Sequence, residues 1–296
     1  MDGPVRDRWA EWLLRRRDGG DHEQREATMG FLVTIRDRVL HNAALSEGGT
    51  LLDVGAGDGL IAFGALEPLG ENGRVIFADI SQDLLEHSRS LAQEAGVAGR
   101  CEFLRAPATD LSALDDAAVD AVTTRSVLIY VEDKGRAFEE FRRVLKLGGR
   151  LSIFEPINTY YYPEPPERFL GYDVTPVQDL ARNVKAVFER TQPADSDPML
   201  NFDERDLLAL TEEAEFEEVH LTLEANVAPG NPPGILAGWD SFVNRAGNPS
   251  IPTIGETIAE ALTPAEAEKL EAHLRPLVDR GERMSRYAFA YLWAVK

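Results

Sequence analysis

Cysteine is almost absent from this chain: Cys101 is the only one. A single thiol excludes an intrachain disulfide and a thiolate zinc site, and it points to a cytoplasmic location. Positive charge is scarce too. Lys and Arg total 31 against 51 for Asp and Glu, a net charge of −20. A phosphate backbone needs a basic footprint and an anionic membrane attracts polybasic segments, so neither nucleic acid nor membrane is expected as a partner. No apolar run approaches the roughly 18 residues of a membrane span. The first residues lack the basic-then-apolar layout of a secretory leader. Histidines are few, and His22, His41, His87, His220 and His273 include no pair at metal-ligand spacing. No metal is expected, and no serine sits in a nucleophile elbow.

What remains is an ordinary globular composition, 44% hydrophobic and 28% charged. The apolar pattern alternates between short runs and helical stripes. A helix is predicted from Val5 to Arg17, ending at Gly19-Gly20, and a second carries Phe31, Leu32, Ile35, Val39 and Leu40. Strands are predicted at 50–54, 74–78, 102–104, 119–123 and 151–154, separated by helical segments. Such alternation implies βαβ units, a parallel sheet and a ligand rim at the strands' C-terminal ends. After Glu155 the composition shifts: residues 156–202 hold seven prolines and four of the seven tyrosines. A helix over 203–214 and a strand over 219–223 follow. Residues 226–262 are again rich in Pro and Gly, before a helix over 264–279 and a closing strand over 287–295.

Asp53-Val54-Gly55-Ala56-Gly57-Asp58-Gly59 falls between a strand and a helix. Glycines there allow a tight turn and close approach of a ligand to the main chain, and the helix start offers free N–H groups. A dinucleotide fingerprint needs glycine at the sixth position, where Leu60 stands instead, which disfavours an NAD-dependent oxidoreductase. Asp79, at the end of the second strand, can accept both hydroxyls of a ribose.

These motifs, with Val119-Asp120-Ala121-Val122 and Phe141-Arg142-Arg143-Val144-Leu145-Lys146-Leu147-Gly148-Gly149, resemble the class I S-adenosylmethionine-dependent methyltransferases. The resemblance covers roughly 48–155, 203–225 and 286–296. It implies a Rossmann-like seven-stranded, mostly parallel sheet with the last strand antiparallel and helices on both faces. Residues 1–47 would form a helical lid, 48–155 the cofactor-binding core, 156–202 a cap insert, 203–225 more core, 226–285 a second insert and 286–296 the final strand. The implied cofactor is S-adenosylmethionine. Gly55, Ala56, Gly57 and Gly59 would pass its methionine and ribose, and Asp53 would order that loop. Asp79 would take the ribose hydroxyls and Ile80 would pack on adenine. Arg125 and Ser126 would face the amino-acid end through main-chain atoms. The family often has Gly-Asp-Ala after the third strand; here Ala106-Pro107-Ala108 stands instead. Pro107 and Ala108 would then line the adenine, with main-chain atoms of Ala108 or the side chain of Asp110 replacing the usual Asp.

Methyl transfer needs an acceptor positioned in line with the sulfonium and shielded from water. Glu155, Tyr160 and His22 are the catalytic candidates, and Tyr130, Asn158, Tyr161 and Trp239 the acceptor-binding ones. The aromatic residues suit either a wall for a flat substrate or the core of an insert. The expected activity is methyl transfer to a small molecule such as a natural product or other metabolite, by a monomer or homodimer. The alternative is a non-catalytic cofactor-binding pathway partner or regulator. Cys101 alone is too little thiol for arsenic methylation.

Overall fold

The computed structural model describes residues 7–296; Val5 and Arg6 of the first predicted helix lie outside them. Seven strands make one sheet in the order β3-β2-β1-β4-β5-β9-β8. They are β1 (Thr50–Val54), β2 (Arg74–Asp79), β3 (Cys101–Arg105), β4 (Val119–Arg125), β5 (Leu145–Pro156), β8 (Glu218–Pro229) and β9 (Met284–Val295). β6 (Arg168–Phe169) and β7 (Tyr172–Asp173) form a separate small hairpin. β9 runs antiparallel to both neighbours, and the other pairings are parallel. The expected Rossmann-like sheet, reversed only at its last strand, is therefore present.

Alternation along each strand feeds two cores, because successive side chains point to opposite faces. Leu52 and Val54 join the cluster that holds α5 (Lys134–Val144) and α7 (Glu204–Glu213). Leu51, Val75 and Phe77 face the other way, onto α3 (Leu60–Ala65) and α4 (Gln82–Glu94). On that second face also lies α2 (His22–Ala43), through Leu32, Ile35 and Val39 against Ile61, Phe154 and Tyr291. The sequence suggested a lid over 1–47, but α2 is a layer of the core. Ser152 even donates to the carbonyl of Val39 across that contact, at 2.8 Å. The part of that segment outside the core, called the lid below for its position, is shorter: α1 (Arg8–Glu11), continuing into a wider helical turn over Trp12–Arg16.

The two inserts, distant in sequence, close on each other. Phe169, Tyr172, Val177, Ala181 and Val184 share one buried cluster with Trp239, Phe242, Ile258, Leu270 and Leu274. α6 (Gln178–Thr191), α8 (Trp239–Asn244), α9 (Ile254–Ala261) and α10 (Pro264–Arg280) thus make a single helical cap with its own core. Its boundaries differ from the sequence reading. β8 and β9 stay paired out to Pro229 and Met284, beyond the sheet proper, so the second insert spans 230–283. Pro229 terminates an exposed edge strand, a position that tolerates proline.

Trp239 belongs to this cap core, 6% exposed and packed against Phe242. Trp239→Ala should cost about 3–5 kcal/mol, as for other buried large-to-small changes. Urea denaturation measures this, and a loss under about 1 kcal/mol would show that Trp239 does not carry the cap.

Candidate active site

The C-terminal ends of β1, β2, β4 and β5 meet along one rim, and three carboxylates organise it. Asp53, Asp79 and Glu155 are 2%, 7% and 0% exposed. A carboxylate this deep has to be hydrogen-bonded, and each one ties its strand to another segment. Asp53 accepts from the Thr123 hydroxyl at 2.8 Å and from the N–H of Ala62, in the first turn of α3, at 3.2 Å. Asp79 accepts from the N–H groups of Gly57 and Ser81, both at 2.8 Å. Glu155 accepts from three consecutive N–H groups, Val127 at 2.8 Å, Leu128 at 2.9 Å and Ile129 at 3.3 Å.

The last of these clamps fixes a strained turn. Ser126 has φ = 55°, a left-handed conformation costly for a residue with a side chain. Its N–H donates to Phe154 at 2.9 Å, and Glu155 holds the three residues that follow. Val127 then packs on the glycine loop, where a Cβ on Gly55 would come within 2.3 Å of it. Gly55 is needed for the protein's own packing. Gly57 differs. With φ = 57°, a Cβ there would meet Leu13 of the lid at 3.1 Å and the carbonyl of Gly55 at 3.9 Å, and no side chain of the sheet or its flanking helices within 4 Å. The space above Gly57 is a cradle that the lid covers.

The lid is tied down at both ends. The carboxylate of Asp7 caps α1 and accepts from the Ser81 hydroxyl at 2.6 Å. Trp9 packs edge-on against Tyr130, 4.9 Å between centroids. On the cap side, Trp12 Nε1 donates to the carbonyl of Ala246 at 2.8 Å, and the N–H of Ala246 donates to Arg16 at 3.2 Å. A cavity of about 1070 Å³ opens beside this arrangement, between the lid, α2, α3 and α4. It touches the glycine loop at Asp58 and Gly59, and Arg17 and Arg36 line it, but neither Asp79 nor Arg125 does.

The residues singled out in the sequence separate accordingly. Asp53, Gly55, Ala56, Gly57, Gly59, Asp79, Arg125 and Ser126 converge on the rim. Ile80, 43% exposed, stands next to Asp79 as an open apolar surface. Pro107 is exposed and Ala108 buried in the turn after β3, while the Asp110 side chain caps its own turn through Ser112. Tyr130 lies under the lid, and burial together with Glu155 drives its phenol well above the ordinary value. Asn158 donates to Met199 and accepts from the phenol of Tyr161, which is itself 37% exposed. Three candidates are not brought in. His22 is a surface residue, its side chain 83% exposed beside Glu26. Tyr160 is exposed, 3.4 Å from Glu204. Trp239 is enclosed in the cap core. As for Glu155, its two oxygens serve main-chain donors, so its evident task is holding the rim.

Two arginine side chains at the rim go beyond what the sequence assigns them: Arg17 as the end of an amphipathic helix and Arg125 through its main chain. Arg17 is enclosed, 13% exposed; its buried Nε faces Asp18 at 3.5 Å and makes no hydrogen bond among the described residues. Arg125 was read for its main chain, yet its guanidinium makes no hydrogen bond among the described residues and sits among Asp58, Arg17, Asp53 and Glu155. The run Arg15-Arg16-Arg17 in so acidic a chain was the available signal.

The comparisons bear on the core. A family model described as "Methyltransferase domain" matches residues 52–153. The ubiquinone/menaquinone biosynthesis C-methyltransferase UbiE of Escherichia coli is 34% identical over 113 residues, 38% of this chain and 45% of that protein. The chain thus spans less than half the length of the curated relatives it matches. The fold is shared with a Bacillus halodurans protein, at TM-score 0.53 and 19% identity over 89% of this chain and 99% of that one. It is shared likewise with the YcgJ protein of Bacillus subtilis, at TM-score 0.51 and 20% identity over 88% and 97%.

Burial pushes Asp53 and Glu155 up to about 7. Between their unfolded values near 4 and this one, the folded chain holds protons that the unfolded chain releases. Their contribution to stability is therefore complete at acid pH and is lost as pH rises through 7, by up to about 1.4 kcal/mol per pH unit for each group. Asp79 is raised by burial as well, so urea melts from pH 4.5 to 8 should show a falling stability in the parent and a shallower fall in Glu155→Gln. An unchanged slope would remove Glu155 as its source.

Proposed function

Starting from a core that is a class I methyltransferase domain, whose cofactor is S-adenosylmethionine, we propose that this chain transfers a methyl group to a small-molecule acceptor held between rim, lid and cap. The observation that carries the reading is the covered cradle at Gly57, beside a buried, oriented Asp79 and an exposed Ile80. The residues present fit the cofactor. Asp79 uses one lone pair of each oxygen on a main-chain N–H, which leaves the others for two ribose hydroxyls. Ile80 offers an apolar face to adenine. Gly57 leaves room for close approach, and Arg125 offers its guanidinium to the amino-acid end.

Bound there, S-adenosylmethionine supplies a methyl group on a sulfonium that is already a good leaving group. The chain's task is then to position and to dry the site. Leu13 over Gly57 and Trp9 against Tyr130 exclude water from the rim. Orientation of this kind contributes up to about 7–11 kcal/mol in favourable cases. Tyr130, whose phenol stays protonated, acts as a hydrogen-bond donor and not as a base. Glu155 acts through the 127–129 turn. This favours an acceptor that is nucleophilic without help, or one that brings its own proton acceptor. The named relative is a C-methyltransferase, but the domain match ends at 153 and the cap begins after it, so the acceptor remains this chain's own.

S-adenosylhomocysteine should raise the melting temperature of the parent protein, because a ligand of the folded state stabilises it by mass action; NAD should not. Asp79→Asn should weaken that binding at least tenfold in titration calorimetry while the chain stays folded. No shift with S-adenosylhomocysteine at millimolar concentration, beside a clear one with NAD, would sink the reading.

A further inference from the structure

Acidic residues outnumber basic ones 51 to 31 in this chain, yet one wall of the molecule reverses that balance. The cavity of about 1070 Å³ between the lid, α2, α3 and α4 carries four arginines, Arg15, Arg17, Arg25 and Arg36, against three carboxylates, Asp37, Asp58 and Glu67. Between these charges its lining is apolar, with Leu14, Met29, Leu40, Leu60, Phe63 and Leu91. Concave sites that hold small molecules measure about 300–1,000 Å³ and combine apolar walls with a few placed polar groups. This cavity has both the size and the mixture.

The fold places these arginines without using them up. Arg25, in the first turn of α2, donates to a neutral carbonyl, that of Leu14, at 3.1 Å. Arg17 keeps a buried Nε that makes no hydrogen bond among the described residues. Arg36 crosses α3, where a Cβ on Gly64 would come within 2.6 Å of its Cδ. Its carboxylate partner is Asp37, the next residue in the chain, which is itself 61% exposed. Arg15 reaches Glu11 at 3.5 Å, again between exposed side chains. Exposed pairs of this kind contribute little, so they are readily given up for another anion. Of the three carboxylates in the wall, Asp37 and Glu67 are exposed and Asp58 belongs to the glycine loop. Guanidiniums around an apolar lining match one ligand chemistry, a carboxylate or phosphate carried on an apolar body.

We propose that this cavity is a second ligand site, for a small amphiphilic anion, and that its occupant holds the lid in place. The site is separate from the cofactor's position, because neither Asp79 nor Arg125 lines it. It shares the lid with that position. Leu13 lies over Gly57, while Leu14, Arg15 and Arg17, which follow it in the chain, line the cavity. An anion held between the lid's arginines and those of α2 ties the lid to the core. A ligand that favours the closed lid also favours whatever the closed lid encloses, by the same factor in each direction. That coupling rests on the methyltransferase reading; the site itself does not.

The test uses the full-length protein, with and without S-adenosylhomocysteine, and the probes octanoate, octyl phosphate, octanol and inorganic phosphate. Calorimetric titration at constant ionic strength in sodium chloride should show saturable binding of octanoate or octyl phosphate. Octanol, which lacks the charge, and inorganic phosphate, which lacks the apolar body, should each bind about tenfold more weakly or worse. The better anion identifies the headgroup. Arg25→Gln should weaken that anion about tenfold and leave S-adenosylhomocysteine binding unchanged when no anion is present. Arg36→Gln provides the same readings should the first variant fold poorly. In the parent, the anion should tighten S-adenosylhomocysteine binding about threefold or more, and S-adenosylhomocysteine should tighten the anion equally. Equal binding of octanol or of inorganic phosphate, or undiminished anion binding in both variants, would overturn the proposal. So would competition between the anion and S-adenosylhomocysteine, which would make the cavity part of the cofactor's own site, or full independence of the two, which would detach it from the lid. A parent that fails to bind S-adenosylhomocysteine would overturn the methyltransferase reading, while titration of the unliganded protein would still decide the site.

Discussion

Three carboxylates buried at one sheet rim hold the strand ends, helix start and loops on which everything else depends. Asp53 ties β1 to β4 and to the start of α3, Asp79 ties β2 to the glycine loop, and Glu155 ties β5 to the turn after β4. The bonds to Thr123, Gly57 and Val127 join strand ends to segments at least 22 residues away in the chain. Burying three acids is expensive, and it is tolerated because every oxygen meets an N–H or O–H donor. The return is a rim whose loops have little freedom. Even the left-handed Ser126 keeps its place, since the residues on either side of it are fixed.

The rest of the molecule is arranged around that rim in layers of decreasing regularity. The sheet and its flanking helices follow from alternation and helical stripes. The cap is assembled from two inserts that have no core until they meet. The lid is the smallest part, and it contacts both.

Much of this was legible in the residues. Strands β1 to β4 stand within two residues of where alternation put them, because a buried strand must be apolar and a helix start must follow its glycine loop. The seven-stranded order came from a family likeness, since neither period nor propensity encodes which strands are neighbours. The strand ends of β8 and β9 were misjudged for a physical reason: Asn226, Pro229 and Arg286 are polar or turn-forming, yet two strands can continue pairing as an exposed ribbon beyond any core. α2 was taken for part of a lid because its stripe does not say what it faces. At the site, Asp79 and the glycines were readable from spacing. Glu155 was readable as a rim residue but not as a clamp, because that depends on where three N–H groups of another loop point.

The lid's attachments have one more consequence. Leu13 covers Gly57, while Trp12 and Arg16, on the same short helix, are bonded to Ala246, one residue beyond Arg245. A displacement large enough to uncover the glycine loop must break the link to the cap as well. Uncovering the glycine loop is therefore coupled to loosening of the cap, and neither movement can occur while the other is held.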